Sequence, residues 1–215
     1  MEAVKKLIRK FKFSSDLFEA SILSRKYLSD KGWFHSRYQR RAIDADQKPI
    51  PWFTYAAIHF LNQKLEGKSL RIFEFGSGNS TIWFASKNQS IVSVEYDAEF
   101  YEIIKPQLKA FNKVEYLQAS LGVDYNQSIL KYKKEFDIIV IDGRERVECA
   151  RNSIQALKDD GVIIWDNSDR EEYKAGYDLI EKAGFKRLDF RSLGPIGHVE
   201  WQTTIYYKSE NCLDI

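Results

Sequence analysis

Two stretches of the 215-residue chain place reactive residue types at spacings suited to holding a small molecule. The first is Glu74-Phe-Gly-Ser-Gly-Asn-Ser80, in which two glycines follow an apolar run and precede the helix starters Asn79, Ser80 and Thr81. Glycine at 76 and 78 permits positive φ and lets a ligand press against the main chain, so that the amides face it. Glu74, two residues before the first glycine, would repel a pyrophosphate and attract a cationic group. A dinucleotide fingerprint requires a third glycine where Thr81 stands, which disfavours NAD or FAD. Twenty-one residues beyond Glu74, Ile91-Val-Ser-Val-Glu95 ends in an acid, where a carboxylate accepts both hydroxyls of a ribose. Glu95 is the ribose ligand of this reading.

The second stretch is a pair of strand ends. Phe136-Asp-Ile-Ile-Val-Ile-Asp-Gly-Arg144 runs into Asp142-Gly143, and Gly161-Val-Ile-Ile-Trp-Asp-Asn167 runs into Asp166-Asn167. In a parallel sheet such ends are neighbours, so Asp142, Asp166 and Asn167 present three hard oxygen donors suited to magnesium or another divalent cation. The other reading has Asp142 touching cofactor or substrate without metal, and Asp166-Asn167 forming a turn that caps the next helix. Without a metal a general base is needed, and of His35, His59 and His198 the last is best placed, in the loop Gly194-Pro-Ile-Gly-His198-Val-Glu200. Asp142 and His198 are therefore the catalytic expectations, with His59 read as packing. Arg144 and Arg146 extend from the same strand tip; Arg144 is kept as a grip for an acidic group on the substrate, the alternative for both being helix-surface ion pairing.

Positioning these residues requires a particular sheet. Short apolar, β-branched runs at 70–75, 91–95, 114–118, 136–141 and 162–165 alternate with helical patterns near 80–87, 98–111, 125–133, 147–157 and 171–183. Strands separated in this way imply right-handed crossovers and a doubly wound parallel α/β sheet with helices on both faces. Pro51 at a first helical position opens another helix over 52–61. After Gly184 the runs 185–193 and 201–207 have no helix between them, so they are antiparallel neighbours and the last strand is reversed.

Composition narrows the partners. Thirty-three basic residues against thirty-one acidic ones leave a net charge of +2, which gives no reason to expect nucleic acid. Cys149 and Cys212 stand far apart, outside any metal or redox spacing, and a reducing cytoplasm is the default. The first thirteen residues alternate bases with apolar residues and lack the uninterrupted apolar core of a secretion signal, and no run is long enough to span a bilayer. Residues 1–47 read as a basic, aromatic helical extension, with Arg25, Lys26, Arg37, Arg40 and Arg41 among Tyr27, Trp33 and Tyr38. A solvated cap is the plainer reading of it; a clasp for an acidic substrate or a peripheral membrane contact is the other. Residues 48–215 form the ligand-binding domain.

Glu74-Phe-Gly-Ser-Gly as a first motif and Val94-Glu95-Tyr96 as a second resemble the class I S-adenosylmethionine-dependent methyltransferases, over about residues 50–208. The resemblance implies a Rossmann-like, seven-stranded, mostly parallel sheet with an antiparallel last strand. It also implies S-adenosylmethionine held by Glu74, Gly76, Ser77, Gly78, Ser80, Glu95, Tyr96, Ser120 and Asp142. Tyr96 would lie against the adenine, and Ser120 stands where many relatives carry an acid for the adenine amine. Asp142 with Asp166-Asn167 is similar to the cation-dependent O-methyltransferases of the catechol type, in which a metal binds two substrate oxygens and lowers a hydroxyl's pKa. Gly-Arg-Glu-Arg146 after Asp142 departs from that type. The implied reaction is methyl transfer to an oxygen of a small hydroxylated molecule or a sugar, with Trp52, Trp165 and Trp201 either stacking on rings or serving as core and rim. Two other readings are a non-catalytic methyltransferase-like subunit that binds cofactor or partner, and an NAD-binding oxidoreductase or epimerase on the same sheet type.

Overall fold

The computed structural model describes residues 2–215, with side chains from Lys10 onward. The alternation of bases and apolar residues over the first nine positions therefore lies outside the described side chains. Strands β1 Arg71–Phe75, β2 Ser90–Glu95, β3 Val114–Gln118, β4 Phe136–Ile141, β5 Leu157–Asp166, β6 Lys186–Ser192 and β7 Trp201–Tyr207 form one sheet in the order β3-β2-β1-β4-β5-β7-β6. The first five pair in parallel, and β7 lies antiparallel between β5 and β6. The chain thus has the doubly wound, reversed-end sheet that its hydrophobic pattern implies.

Burial follows the strand order. Every residue of β4 is buried, whereas edge strand β6 alternates exposed and half-buried residues. That is the signature of a central strand covered on both faces and an edge open to water. Side chains leave a strand on alternate faces, so neighbours in β4 enter different cores. Ile138 and Val140 join Phe53, Leu61, Phe84 and Ile205 on one face, while Ile139 and Ile141 join Phe75, Tyr125, Trp165 and Tyr206 on the other. Helices α3 Tyr55–Lys64 and α4 Asn79–Ser86 cover the first face, and α6 Val123–Asn126, α7 Arg146–Ser153 and α8 Lys174–Lys182 contribute to the second. Helix α5 Ala98–Leu108 packs Ile104 and Leu108 on Ile82 of α4.

Several boundaries move for local reasons. Helix α3 opens at Tyr55 instead of at Pro51, because Thr54 caps it: its hydroxyl accepts from the Ala57 amide at 3.4 Å while its own amide donates to Thr203 Oγ1 at 3.0 Å. The helix expected over 125–133 breaks into α6 and a 3-10 turn over Ser128–Lys131, where Ser128 Oγ takes the Tyr125 carbonyl at 2.7 Å. Strand β5 begins at Leu157, well before 162, since Leu157 pairs with Phe136 ahead of a register shift. The helix expected over 171–183 is a 3-10 turn, Glu171–Tyr173, followed by α8.

Ahead of the sheet run α1 Glu2–Leu23 and α2 Trp33–Gln39. Helix α2 and the chain after it are bound to the sheet domain: Trp33 Nε1 donates to Gly197 O at 2.9 Å and Arg37 Nη1 to Ile196 O at 2.9 Å, while the Ile50 amide meets the Ala42 carbonyl at 3.0 Å. Among the described residues no helix is long and apolar enough to cross a membrane.

Gly176 lies in α8 directly over the Trp165 ring, and a Cβ there would run into the indole. Alanine normally strengthens a helix by about 1 kcal/mol over glycine, but overpacking of this kind costs about 1–3 kcal/mol. Gly176→Ala is therefore expected to lower the urea midpoint, and a raised midpoint would refute the tight α8–Trp165 contact.

Candidate functional site

The carboxyl ends of β1, β4 and β5 meet around a cavity of about 780 Å³. Its wall from the β1 side is the turn Ser77, Gly78, Asn79 and Ser80, and its wall from the β4 and β5 side is Asp142, Arg146, Asp166 and Asn167. Gly76 has φ 86° and lies against the next tip: a Cβ there would stand 2.8 Å from Gly143 Cα and 3.0 Å from the Asp142 carbonyl. Its lack of a side chain therefore lets two strand tips touch, in place of the ligand approach expected from sequence. Gly78, at φ 151°, faces more open space: the nearest group to a Cβ at this position would be the Phe100 ring, 3.6 Å away. Asp97 caps α5 through the amides of Glu99 and Phe100, both at 3.0 Å, and so fixes Phe100 on the cavity wall.

Two acids stand behind the glycine turn. Glu95 Oε2 accepts from the Ser77 amide at 3.0 Å and the Ser77 hydroxyl at 2.9 Å, while Oε1 accepts from the amides of Tyr96 and Asp97, each at 2.9 Å. Glu74 is fully enclosed: Oε2 accepts from Thr81 Oγ1 at 2.5 Å and Ser93 Oγ at 2.8 Å, and Oε1 has no partner. Burial pushes the Glu74 carboxyl up to about 7. Thr81, at the place of a third dinucleotide glycine, also accepts from the Gly78 amide at 3.0 Å, a contact that glycine could not make.

The opposite wall turns on one arginine. Arg146, 8% exposed, donates from Nε to Gly143 O at 3.0 Å, from Nη2 to Asp142 Oδ1 at 3.0 Å, and from Nη1 to the Asp166 carbonyl. Asp166 Oδ1 accepts from Thr203 Oγ1 at 2.6 Å and Trp201 Nε1 at 3.0 Å, which leaves Oδ2 for the cavity that Asp166 lines. Burial raises both carboxyls. Asp166 is raised further because the Asp142 charge adds to burial, whereas the Arg146 guanidinium pulls Asp142 back down.

This donor set does not fit a divalent metal. Asp142 and Asp166 are engaged by Arg146, Thr203 and Trp201, and a fixed guanidinium charge already joins the two strand tips. No cluster of three acidic, histidine or cysteine side chains able to hold a metal occurs among the described residues. The metal set Asp142, Asp166 and Asn167 is thus brought together in space, but with Arg146 in the cation's electrostatic place.

The other expected residues divide. Ser77, Gly78, Ser80 and Asp142 line the cavity; Glu74, Gly76 and Glu95 lie behind its wall. Tyr96 packs on Tyr125 at 6.3 Å, and Arg144 lies over its ring at 5.8 Å with Nε 3.3 Å from the phenol oxygen, so Arg144 stands away from the cavity lining. Ser120 is exposed. His198 is exposed and leans on Trp33 at 5.7 Å, outside the cavity lining. His59 is exposed beside Gln63 and is not a packing residue. Of the tryptophans, Trp52 and Trp201 line the cavity, whereas Trp165 is wholly buried against Tyr177 at 4.9 Å.

Sequence reasoning missed Arg170 and named Arg40 and Arg41 only within a basic extension with a substrate clasp as its second reading; all three are on the cavity lining. It also gave Arg146 helix-surface ion pairing as its alternative and did not name Asp142 as the partner, four residues before it. Asn79 Nδ2 donates to the Ala42 carbonyl at 2.6 Å, which brings the segment carrying Arg40 and Arg41 to the glycine turn.

No protein-family model matches the sequence, and no curated protein matches it. Solved structures do resemble it. A caffeoyl-CoA O-methyltransferase-like protein from Staphylococcus aureus aligns at 16% identity and a TM-score of 0.58, over 92% of this chain and 98% of that one. A precorrin-6Y C5,15-methyltransferase from Geobacter metallireducens aligns at 15% identity and TM-score 0.55, over 70% and 86% of the two chains. Spermidine synthase from Thermotoga maritima aligns at 18% identity and TM-score 0.51, over 69% of this chain and 56% of that one. With the strand order, the reversed β7 and the cavity at the strand ends already described, this chain has the fold of the class I S-adenosylmethionine-dependent methyltransferases.

Proposed function

We propose that this protein is an S-adenosylmethionine-dependent methyltransferase that methylates an oxygen of a small hydroxylated molecule or a sugar. The observation that carries the reading is a single cavity with a glycine turn on one wall and the free oxygen of a buried carboxyl, Asp166 Oδ2, on the other. S-adenosylmethionine bound there would supply an electrophilic methyl group on a sulfonium sulfur. Ser77, Gly78 and Ser80 are the wall residues for it, and Glu95 sets the shape of that turn through the Ser77 amide.

Asp166 is the base of this reading. An acceptor hydroxyl held against Oδ2 would give up its proton there as its oxygen takes the methyl group, the sulfonium's carbon–sulfur bond breaking to leave a neutral thioether, while Thr203 and Trp201 keep the carboxyl oriented through Oδ1. Arg146 holds Asp142 as an ion pair, which offsets part of the Asp142 charge beside Asp166. That guanidinium supplies the fixed positive charge that a divalent cation would otherwise bring, and no divalent ion is part of the reading.

Calorimetry with S-adenosylhomocysteine is expected to show binding to the wild type and a loss of about tenfold or more in affinity for Glu95→Ala; no binding to the wild type would sink the cofactor assignment. Methyl transfer from labelled cofactor across a panel of hydroxylated acceptors is expected to be unchanged by chelator, and restoration by magnesium after chelation would return the metal to the mechanism.

Two pH dependences of opposite sign follow from the raised Asp166 carboxyl. A base works only when ionised, so the rate rises with pH through the raised value. Stability falls over the same range: with the folded-state pKa above the unfolded one, the contribution is complete below about pH 4 and is lost as pH climbs through the folded value. Asp166→Asn keeps an acceptor for Trp201 and Thr203, so it is expected to fold, to flatten that decline in denaturation midpoint, and to lower kcat by about 10²–10⁴. Unaltered kcat in a folded variant would exclude Asp166 as the base.

A further inference from the structure

The rim of the cavity differs in charge from the rest of the molecule. The whole chain carries a net charge of +2, but Arg40, Arg41 and Arg170 all stand on this one lining. Among the described residues neither Arg40 nor Arg41 has an acid within ion-pair distance, and Arg170 has only Glu172, at 4.0 Å. The lining's two acids do not cancel them: Asp142 is paired with Arg146, and Asp166 is buried with its carboxyl raised toward the neutral form.

Apolar surface borders the same arginines. Trp52, Phe100, Ile103 and Val199 are 51%, 38%, 61% and 74% exposed, and all four line this cavity. Exposed apolar side chains scattered singly need no explanation, but a cluster rimmed by polar groups marks a binding surface. The arrangement is held in place. Arg40 ends α2 with φ 51°, turning the chain toward Ala42, whose carbonyl is fixed by Asn79, and Arg41 Nη2 lies 3.4 Å from Gln107 Oε1 on α5.

We infer that the acceptor is an amphipathic anion: an apolar, ring- or chain-like body lying on Trp52, Phe100, Ile103 and Val199, with a carboxylate or phosphate held by Arg40, Arg41 and Arg170. Arginine suits this role because its planar fork matches both oxyanions in two-bond geometry. The inference rests on the methyltransferase reading and names the substrate class for it. It also assigns a task to residues 40 and 41, which close the site from outside the sheet and carry the anion contact.

Two dyes of similar body test it on the full-length protein: anilinonaphthalene sulfonate, which is anionic, and phenylnaphthylamine, its uncharged counterpart. The double variant Arg40→Ala/Arg41→Ala is expected to weaken the sulfonate by about tenfold and to leave the neutral dye within about twofold. Added salt is expected to weaken the sulfonate on the wild type more than on the variant. Displacement of the dye by naphthyl phosphate ahead of naphthoate, or the reverse, tells phosphate from carboxylate. Equal responses of the two dyes to the variant, or no response of either, would overturn the anion assignment. S-adenosylhomocysteine binding to the same variants separates the two ideas: intact cofactor binding with an unresponsive sulfonate refutes only the anionic acceptor, while a responsive sulfonate with no cofactor binding to the wild type refutes only the methyltransferase.

Discussion

The architecture of the site depends on one buried guanidinium. Arg146 uses all three of its nitrogens on the tips of β4 and β5, meeting the Gly143 carbonyl, the Asp142 carboxylate and the Asp166 carbonyl. Without it, two carboxyls would face each other in a low-dielectric pocket, and a buried charge left unpaired costs several kcal/mol. With it, Asp142 keeps a charged partner while the Asp166 carboxyl is held by the neutral donors Thr203 and Trp201, and burial together with the Asp142 charge raises Asp166. Burial raises both carboxyls, but only Asp142 has the guanidinium as its charged partner, so two chemically identical side chains on adjoining strands stand in different surroundings.

Backbone proximity makes this arrangement possible. Gly76 and Gly143 let the tips of β1 and β4 approach until main chain meets main chain, and the Asp142 amide donates to the Phe75 carbonyl at 3.1 Å. The glycine turn and the acidic wall are consequently parts of one rigid ridge. On one side of it Glu95 and Thr81 brace the turn by accepting its amides; on the other, Thr203 and Trp201 from β7 orient Asp166. The reversed last strand thus has a chemical consequence as well as a topological one, since it delivers two donors to the β5 tip.

Much of the cavity mouth lies outside the sheet. Helix α2 is tied to the loop between β6 and β7 by Trp33 and Arg37, and the segment after α2 is tied to the glycine turn by Asn79. These hydrogen bonds span up to 164 residues of sequence, as in Trp33 to Gly197. They bring arginines and exposed apolar side chains to the mouth of a cavity whose floor is made by the strand ends, the usual division between a scaffold and the loops that choose its ligand.

Local pattern was enough to specify the sheet. Apolar runs with β-branched residues, helical spacing between them and the missing helix between residues 193 and 201 dictate a doubly wound sheet with a reversed end, because period and connection length are properties of contiguous residues. The glycine turn and the acids at 74, 95, 142 and 166 were legible for the same reason. Their partners were not: whether Asp142 meets a metal or Arg146, whether His198 or Asp166 faces the cavity, and whether Trp165 or Trp52 meets solvent depend on which distant side chains arrive and which face of each strand they cover. Burial and charge pairing are sums over neighbours in space, so only the folded chain could decide that Arg146 would join the two strand tips and that Arg40 and Arg41 would line the same cavity.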